Sequence, residues 1–301
     1  MNANIFSITP SLAAPSTGPL HTVRLDHFLS KLKHLPPTPT LMVKLIGLFQ
    51  GGEHDADDIM ALIRSDPALV AQLLRCCNNT FFGDVPHVID IHEAVFRLGF
   101  YEIYRITMKL FGDRALTTRH APPNFPGELL RKHSVITAMA AGAIARQIGI
   151  SEGLAFTAGV LHDIGKVVLA VADGPQYMSL LEEHGCHGTS LCQAEQAVFQ
   201  FDHCQLGSRL LDKWEVPRQI SIPVREHHSL DWSGPDGKMA ATLHLADIIA
   251  HHILAETSVD WAEVPEANPP MEFLELNPEQ VALVETLVAV AYKQLPPLTT
   301  A

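Results

Sequence analysis

The spacing of apolar residues is the feature that most limits how this chain can fold. Apolar side chains recur at i, i+3, i+4 and i+7, as in the run from Met42 to Phe49. That run follows Thr38-Pro39, a cap-then-proline start, and ends at Gly51-Gly52. Segments of this kind repeat along the chain, and no run shows the period-2 alternation of a half-buried strand. The sequence therefore predicts an all-α protein.

A break rich in proline and glycine divides the chain into two helical lobes, because residues 112–127 cannot sustain a helix. The predicted organisation is a flexible N-terminal tail (1–24), an N-terminal helical lobe (25–111), a linker (112–127), a second helical lobe (128–254), and an acidic loop with a C-terminal helix (255–301). The predicted core of the first lobe is Met42, Leu45, Ile46, Phe49, Leu69, Val70, Leu73, Leu74, Val95 and Leu98. Helices of the second lobe are expected near 133–148, 151–166, 193–200, 204–214, 218–227 and 239–253.

Composition narrows the classes of molecule that this chain is expected to contact and the compartment in which it works. The chain has 21 Lys and Arg against 33 Asp and Glu, a net charge of −12, and an acidic surface repels a nucleic-acid backbone. No apolar run reaches the roughly 18 residues of a membrane helix, and Met1–Ser16 lacks the charged start of a secretory signal. The five cysteines show no paired C-x-x-C spacing, which favours reduced, buried thiols. We therefore expect a cytoplasmic protein that contacts neither membrane nor nucleic acid.

Polar side chains interrupt apolar helix faces at several places in the second lobe, and they are the informative residues. They are His133, His162, Asp163, His203, His227, His228 and Asp247. A carboxylate among apolar neighbours is costly to ionise unless a cation or several donors compensate it. Each histidine alone fits a structural role, but two aspartates and five histidines together indicate a shared cation. Imidazole and carboxylate ligands suit Zn, Fe or Mn, so one or two divalent ions are predicted. His244 and His251, at helical spacing from Asp247, are candidates for supporting the ligands.

The order of these residues resembles the HD phosphohydrolase superfamily. The segment His162–Lys166 carries the His-Asp pair. His133 lies before this pair, and His203, His227, His228 and Asp247 lie after it, in the same order as in that superfamily. In the first lobe, Leu35–Pro39, Ser65–Leu69 and Ala94–Gly99 resemble the HDOD domain. This resemblance, over roughly residues 25–255, implies a helical output module of bacterial signalling proteins, related to the HD-GYP phosphodiesterases.

The resemblance also implies roles for individual residues. Those that match the one-metal HD site are His133, His162, Asp163 and Asp247; those that match the additional positions of two-metal relatives are His203, His227 and His228. Asp163 would bridge two ions, and Lys166 matches the lysine that meets substrate phosphate. Residues 229–237 contain no Gly-Tyr-Pro motif, which argues against cyclic di-GMP hydrolysis.

Two functions stay open at this point. The first is a non-catalytic signalling module whose partners are regulatory proteins of two-component or cyclic-dinucleotide systems, as the resemblance implies. The second is a metal-dependent phosphohydrolase acting on a nucleotide or other phosphoester, with Asp163 and Lys166 as its catalytic residues. The signalling role is favoured, because no motif that would read a substrate is visible.

Overall fold

The computed structural model of the chain describes residues 19–30, 102–107, 121–184, 190–255 and 267–293, with single positions between 44 and 99. Its helices are α1 (Pro19–Ser30), α2 (Gly127–Ile148), α3 (Glu152–Leu161), α4 (Ile164–Ala172), α5 (Gly174–His184), α6 (Leu191–Phe199), α7 (His203–Lys213), α8 (Arg218–Glu226), α9 (Gly237–Ala255), α10 (Asn268–Phe273) and α11 (Pro278–Lys293). These ranges contain no strand, so the predicted all-α class is confirmed.

Helix α2 is the centre of the second lobe and packs against α3, α9 and α11. Its small residues permit a close approach, because a side chain at Gly159 on α3 would collide with the backbone of Ala138 on α2. Residues 152–172 are the one described stretch long and apolar enough to cross a membrane, by length and composition only. Since 89% of its 18-residue apolar window is buried within the protein, the stretch has the character of buried core structure.

The predicted helix over 151–166 is in fact two helices, α3 and α4, with His162 and Asp163 between them. The Nδ1 atom of His162 donates a hydrogen bond to the Gly159 carbonyl at 2.7 Å, which satisfies one carbonyl at the end of α3. Asp163 then leaves helical geometry, with φ −100° and ψ 11°, and α4 starts in a new direction. Continuous apolar periodicity concealed this break, which turns both polar side chains toward α2.

Helices α4 and α7 approach each other with their backbones nearly in contact. A side chain at Gly165 on α4 would overlap the backbone of His203, the first residue of α7. On the other side, a Cβ at Gly207 would lie 3.1 Å from the backbone nitrogen of Gly165. The absence of a side chain at these two positions therefore sets the distance between the helices.

The predicted tail over 1–24 is wrong for residues 19–24, which form the first half of α1. Leu25 and Leu29 are buried, and this apolar pair packs α1 against the second lobe. Asp26 also accepts two hydrogen bonds from Arg209 on α7, at 2.9 and 2.7 Å. Burial of one apolar face against a neighbouring helix orders a segment whose composition alone indicated a tail.

Two of the described helices were not predicted. One is α5, in the second lobe, and the other is the short helix α10, which lies within the predicted acidic loop. The predicted C-terminal helix is α11, which begins at Pro278: the Asn277 side chain accepts a hydrogen bond from the Gln280 backbone, and the Gln280 side chain accepts one from the Asn277 backbone.

The described positions of the first lobe agree with part of its predicted core. Ile46 is fully buried, and Val70 and Leu74 are partly buried against the core. The remaining predicted core residues lie outside the described residues, namely Met42, Leu45, Phe49, Leu69, Leu73, Val95 and Leu98.

Candidate metal centre

Four of the predicted site residues meet at one buried point, although they come from three separate parts of the fold. His133 lies on α2, His162 and Asp163 lie at the α3–α4 break, and Asp247 lies on α9. We call these four residues the carboxylate half of the centre. Each is at most 3% exposed.

The distances within the carboxylate half suit a single ion. His162 Nε2 lies 3.3 Å from His133 Nε2, 3.4 Å from Asp163 Oδ2 and 3.5 Å from Asp247 Oδ1. Ligands at 2.0–2.2 Å from a tetrahedral ion would be separated by about 3.3–3.6 Å. His133 Nε2 and Asp247 Oδ1 are closer, at 2.7 Å, and form a hydrogen bond that an ion would replace.

The second carboxylate oxygen of Asp163 faces the other predicted histidines. Oδ1 lies 3.4 Å from His203 Nε2 and 3.8 Å from His227 Nε2. The His228 ring stacks beside these rings, with its centroid 4.1 Å from that of His227 and 5.3 Å from that of His203. Asp163 therefore stands between two groups of donors and turns one oxygen to each.

Hydrogen bonds to backbone carbonyls fix which nitrogen of two histidines faces the centre. His162 Nδ1 and His227 Nδ1 donate to the carbonyls of Gly159 and Val224, both at 2.7 Å. Their Nε2 atoms therefore point inward as potential ligands, an arrangement common in protein metal sites.

One contact across the centre calls for a cation. Burial lowers the pKa of His227 well below its usual range, so this ring is neutral and its Nε2 is an acceptor. The atom it faces, Asp163 Oδ1, is also an acceptor, and it is buried with no hydrogen-bond partner among the described residues. Two acceptors facing each other in a buried site are satisfied by a positive charge nearby, which the protonated His203 ring, 3.4 Å from Asp163 Oδ1, or a bound ion can supply. The residues present therefore fit a metal ion.

Protons and a lysine balance the charge of the carboxylates in the ion-free protein. Burial alone would raise the pKa of Asp163, but the charges of His162 and Lys166 hold it well below its usual range. Lys166 is itself buried, and its Nζ donates to Asp163 Oδ2 at 2.7 Å. Burial opposes the charged form of His162, yet Asp163 and then Asp247 raise its pKa to about 9. The proton on His162 occupies a position that an ion would take.

Sequence reasoning missed a buried carboxylate that supports His203. Glu195 on α6 accepts hydrogen bonds from the backbone nitrogen and from Nδ1 of His203, both at 2.7 Å. Its other oxygen accepts a hydrogen bond from Tyr177 at 2.9 Å. The signal was present, because Glu195 follows Leu191 at i+4 and so lies on the buried stripe of its helix.

Two cysteines adjoin the His203 side of the centre and were not among the predicted ligands. Cys192 and Cys204 are buried and unpaired, as expected of reduced thiols. Their sulfurs lie 3.8 Å apart, and Cys204 Sγ lies 3.4 Å from His203 Nε2. A hydrogen bond from Cys204 lowers the pKa of Cys192, whereas burial raises that of Cys204 well above its usual range.

His251, which the sequence offered as a supporting residue, lies at the edge of the carboxylate half. Its Nε2 is 3.6 Å from Asp247 Oδ1, and its side chain is 14% exposed. His244 instead donates from Nδ1 to the carbonyl of His227 at 2.7 Å, so it holds the backbone of a predicted ligand.

Relatives of the chain are bacterial proteins. An uncharacterised protein of Treponema pallidum (strain Nichols) is 23% identical over 253 residues, which cover 83% of this chain and 48% of the relative. Ribonuclease Y of Acholeplasma laidlawii (strain PG-8A) is 27% identical over 158 residues, 52% of this chain and 23% of the enzyme. The chain thus spans about half the length of the first relative and a quarter of the second.

Solved structures share the fold. An HDOD domain protein of unknown function from Geobacter sulfurreducens has a TM-score of 0.75 at 20% identity, covering 93% of this chain and 99% of that one. A candidate signal transduction protein from Marinobacter aquaeolei VT8 has a TM-score of 0.71 at 22% identity, covering 93% of this chain and 66% of that one. A candidate phosphohydrolase from Shewanella amazonensis SB2B has a TM-score of 0.68 at 19% identity, covering 89% and 98%.

The family comparison agrees with the motifs found in both lobes. The HDOD domain matches residues 35–230, a range that includes the linker, the α3–α4 break and every predicted ligand except Asp247. The chain belongs to the HDOD domain family.

Proposed function

We propose that this chain is a signal-transduction module whose second lobe is held in its working shape by buried divalent metal ions. The proposal rests on the burial of the carboxylate half, whose four residues are each at most 3% exposed. An ion so enclosed joins α2, the α3–α4 break and α9. Its binding free energy then contributes directly to folding of the lobe.

The geometry supports a particular set of residues as ligands of the ions. His133, His162, Asp163 and Asp247 would bind the first ion, and the second would lie toward His203, His227 and His228. A bound ion supplies a compact positive charge and Lewis acidity. The buried side chains attract cations, because Asp163, Asp247 and Glu195 against Lys166 leave a charge of −2 when the imidazoles are neutral.

The partners proposed are regulatory proteins of bacterial two-component or cyclic-dinucleotide signalling, in the cytoplasm. Support comes from family membership and from the Marinobacter neighbour, described as a candidate signal transduction protein. The net charge of −12 disfavours a nucleic-acid partner.

A second candidate function is metal-dependent hydrolysis of a phosphoester. It is favoured by Asp163, whose two oxygens face two donor groups as a bridging carboxylate does in two-metal hydrolases. Lys166, beside that carboxylate, would add a positive charge for substrate phosphate. The Shewanella neighbour and the ribonuclease Y relatives carry hydrolase names. Turnover would require the buried centre to open, because Lys166 is only 3% exposed.

Metal analysis and turnover measured together test the two candidates. The chain is purified without chelators, and metal content and melting temperature are compared for wild type, Asp163→Asn and the exposed control Asp231→Asn. We expect bound metal and a chelator-sensitive melting temperature in wild type and Asp231→Asn, and loss of the metal held by the carboxylate half, with a lower melting temperature, in Asp163→Asn. Wild type without metal, and with a melting temperature indifferent to added Mn²⁺, Fe²⁺ or Zn²⁺, would contradict a metal-held lobe.

The turnover arm uses the metal-loaded chain with nucleotides, a cyclic dinucleotide, a generic phosphodiester and single-stranded RNA. No turnover supports the signalling module. Hydrolysis that is abolished in Asp163→Asn and kept in Asp231→Asn would establish the phosphohydrolase instead.

A further inference from the structure

Two cysteines and two histidines form a second group of potential ligands beside the carboxylate half. Cys192 comes from α6, His203 and Cys204 from the start of α7, and His228 follows the end of α8. One potential ligand atom from each lies within 4.8 Å of those of the other three, and all four residues are buried. We call these four residues the thiol half of the centre.

Two distances within the thiol half match those of a tetrahedral zinc site. Zinc–sulfur bonds of 2.3 Å place two thiolates about 3.8 Å apart at the tetrahedral angle, and a thiolate and an imidazole about 3.6 Å apart. The two sulfurs are 3.8 Å apart, and Cys204 Sγ is 3.4 Å from His203 Nε2. The same sulfur separation is far too long for a disulfide bond.

The surroundings prepare one of these ligands for a metal. Glu195 accepts the Nδ1 proton of His203 and so leaves Nε2 facing Cys204, as in the carboxylate–histidine–metal arrangement. The other side of His203 Nε2 faces Asp163 Oδ1 at 3.4 Å, the acceptor that has no hydrogen-bond partner. A cation on the thiol side therefore also lies near this buried acceptor.

We infer that Cys192, His203, Cys204 and His228 bind a structural zinc ion. Two thiolates and two imidazoles complete a closed tetrahedral set, with no position left for water or substrate. The soft sulfur ligands select zinc over manganese or magnesium, which prefer oxygen. The inference rests on the proposed function in taking His203 and His228 as ligands of the second ion, and it assigns that ion's identity and its thiolate ligands.

Cobalt(II) tests the assignment, because it replaces zinc and reports its ligands by absorption. The full chain is freed of metal under reducing conditions and titrated with Co²⁺. We expect a near-ultraviolet thiolate-to-cobalt charge-transfer band, with the strong visible bands of a tetrahedral ion, and their loss when Zn²⁺ is added. This measurement needs no variant, and a wild-type chain that binds Co²⁺ without the charge-transfer band would overturn the inference.

Variants separate this inference from the proposed function. Cys192→Ser with Cys204→Ser should lose the charge-transfer band and one equivalent of zinc but still bind Mn²⁺ in the carboxylate half. Asp163→Asn should lose Mn²⁺ and keep the band. Retention of the band in the cysteine variant would refute the assignment, whereas a band in a wild-type chain that binds no Mn²⁺ or Fe²⁺ would refute the metal-held carboxylate half alone.

Discussion

The two halves of the centre are neighbours with opposite chemistry. The carboxylate half offers two imidazoles and two carboxylates, and the thiol half offers two imidazoles and two sulfurs. Oxygen ligands suit harder ions such as Mn²⁺ or Fe²⁺, whereas sulfur favours zinc. If both ions bind as proposed, one enclosed cluster would sort two different metals by ligand type, although its two halves face the same carboxylate, Asp163.

The halves also differ in what they connect. The ligands of the carboxylate half span 114 residues, from His133 to Asp247, so an ion there fastens distant parts of the lobe. Those of the thiol half lie between Cys192 and His228 and connect only α6, α7 and the end of α8. A longer loop closed by a cross-link constrains the unfolded chain more, so the first ion should contribute more to stability.

The largest effect is expected from removal of the shared carboxylate. Asp163→Ala leaves Lys166 buried without its closest partner, which should lower the free energy of unfolding by about 3–5 kcal/mol as well as abolish Mn²⁺ binding. Chemical denaturation and metal analysis measure the two effects. The double variant Asp163→Asn with Lys166→Met removes both charges and should recover most of the stability but none of the Mn²⁺. Full Mn²⁺ binding by either variant would refute the carboxylate half.

Proton competition should give the next largest effect. The pKa of His162 is raised to about 9, so its protonated form stabilises the ion-free protein fully below its usual pKa of 6.5, and this contribution is lost as the pH rises through 9. An ion must displace that proton, so Mn²⁺ affinity should rise about tenfold per pH unit, or roughly 100-fold from about pH 6 to 8. Calorimetry in buffers of different ionisation enthalpy measures the proton released. Affinity independent of pH would contradict the ligand role of His162.

A change at Glu195 should act on the thiol half alone. Glu195→Gln keeps the shape of the side chain but weakens its hold on His203 Nδ1, and loss of such partners typically costs 10–100-fold in metal affinity. We expect Zn²⁺ affinity to fall by about that factor while Mn²⁺ affinity is unchanged, both measured by competition with a chromophoric chelator. Glu279→Gln, an exposed change on α11, is the matched control. Equal losses for both metals would show that Glu195 supports the whole lobe rather than one half.

The smallest effect is expected at His251. This ring lies 3.6 Å from Asp247 and is partly exposed, so it adjoins the carboxylate half without completing it. His251→Ala should lower Mn²⁺ affinity by less than about tenfold and leave the cobalt spectrum unaltered. A loss as large as that of Asp163→Asn would instead make His251 a direct ligand.

Sequence patterns predicted features that depend on helical periodicity, and they missed features that depend on individual contacts between helices. Helical spacing predicted the fold class and most helices. Polar residues that interrupt apolar helix faces predicted the four members of the carboxylate half. The α3–α4 break was missed because Ala158–Leu161 and Val167–Leu169 continue one apolar pattern across it. Cys192 and Glu195 were missed because a thiol or a carboxylate on a buried stripe has meaning only once α6 is placed beside His203.

The close contact between the backbones of Gly165 and His203 fixes the distance between the two segments that carry the proposed metal ligands. Gly165 lies two residues after Asp163, and the His203 backbone carries the ligand that faces the thiols. Exchange of ligand side chains in either half would therefore leave the backbones that carry them at the same separation. If both ions bind as proposed, the lobe is a scaffold of fixed backbone spacing, on which ligand substitution could convert a site for two unlike ions into a site for two alike ions.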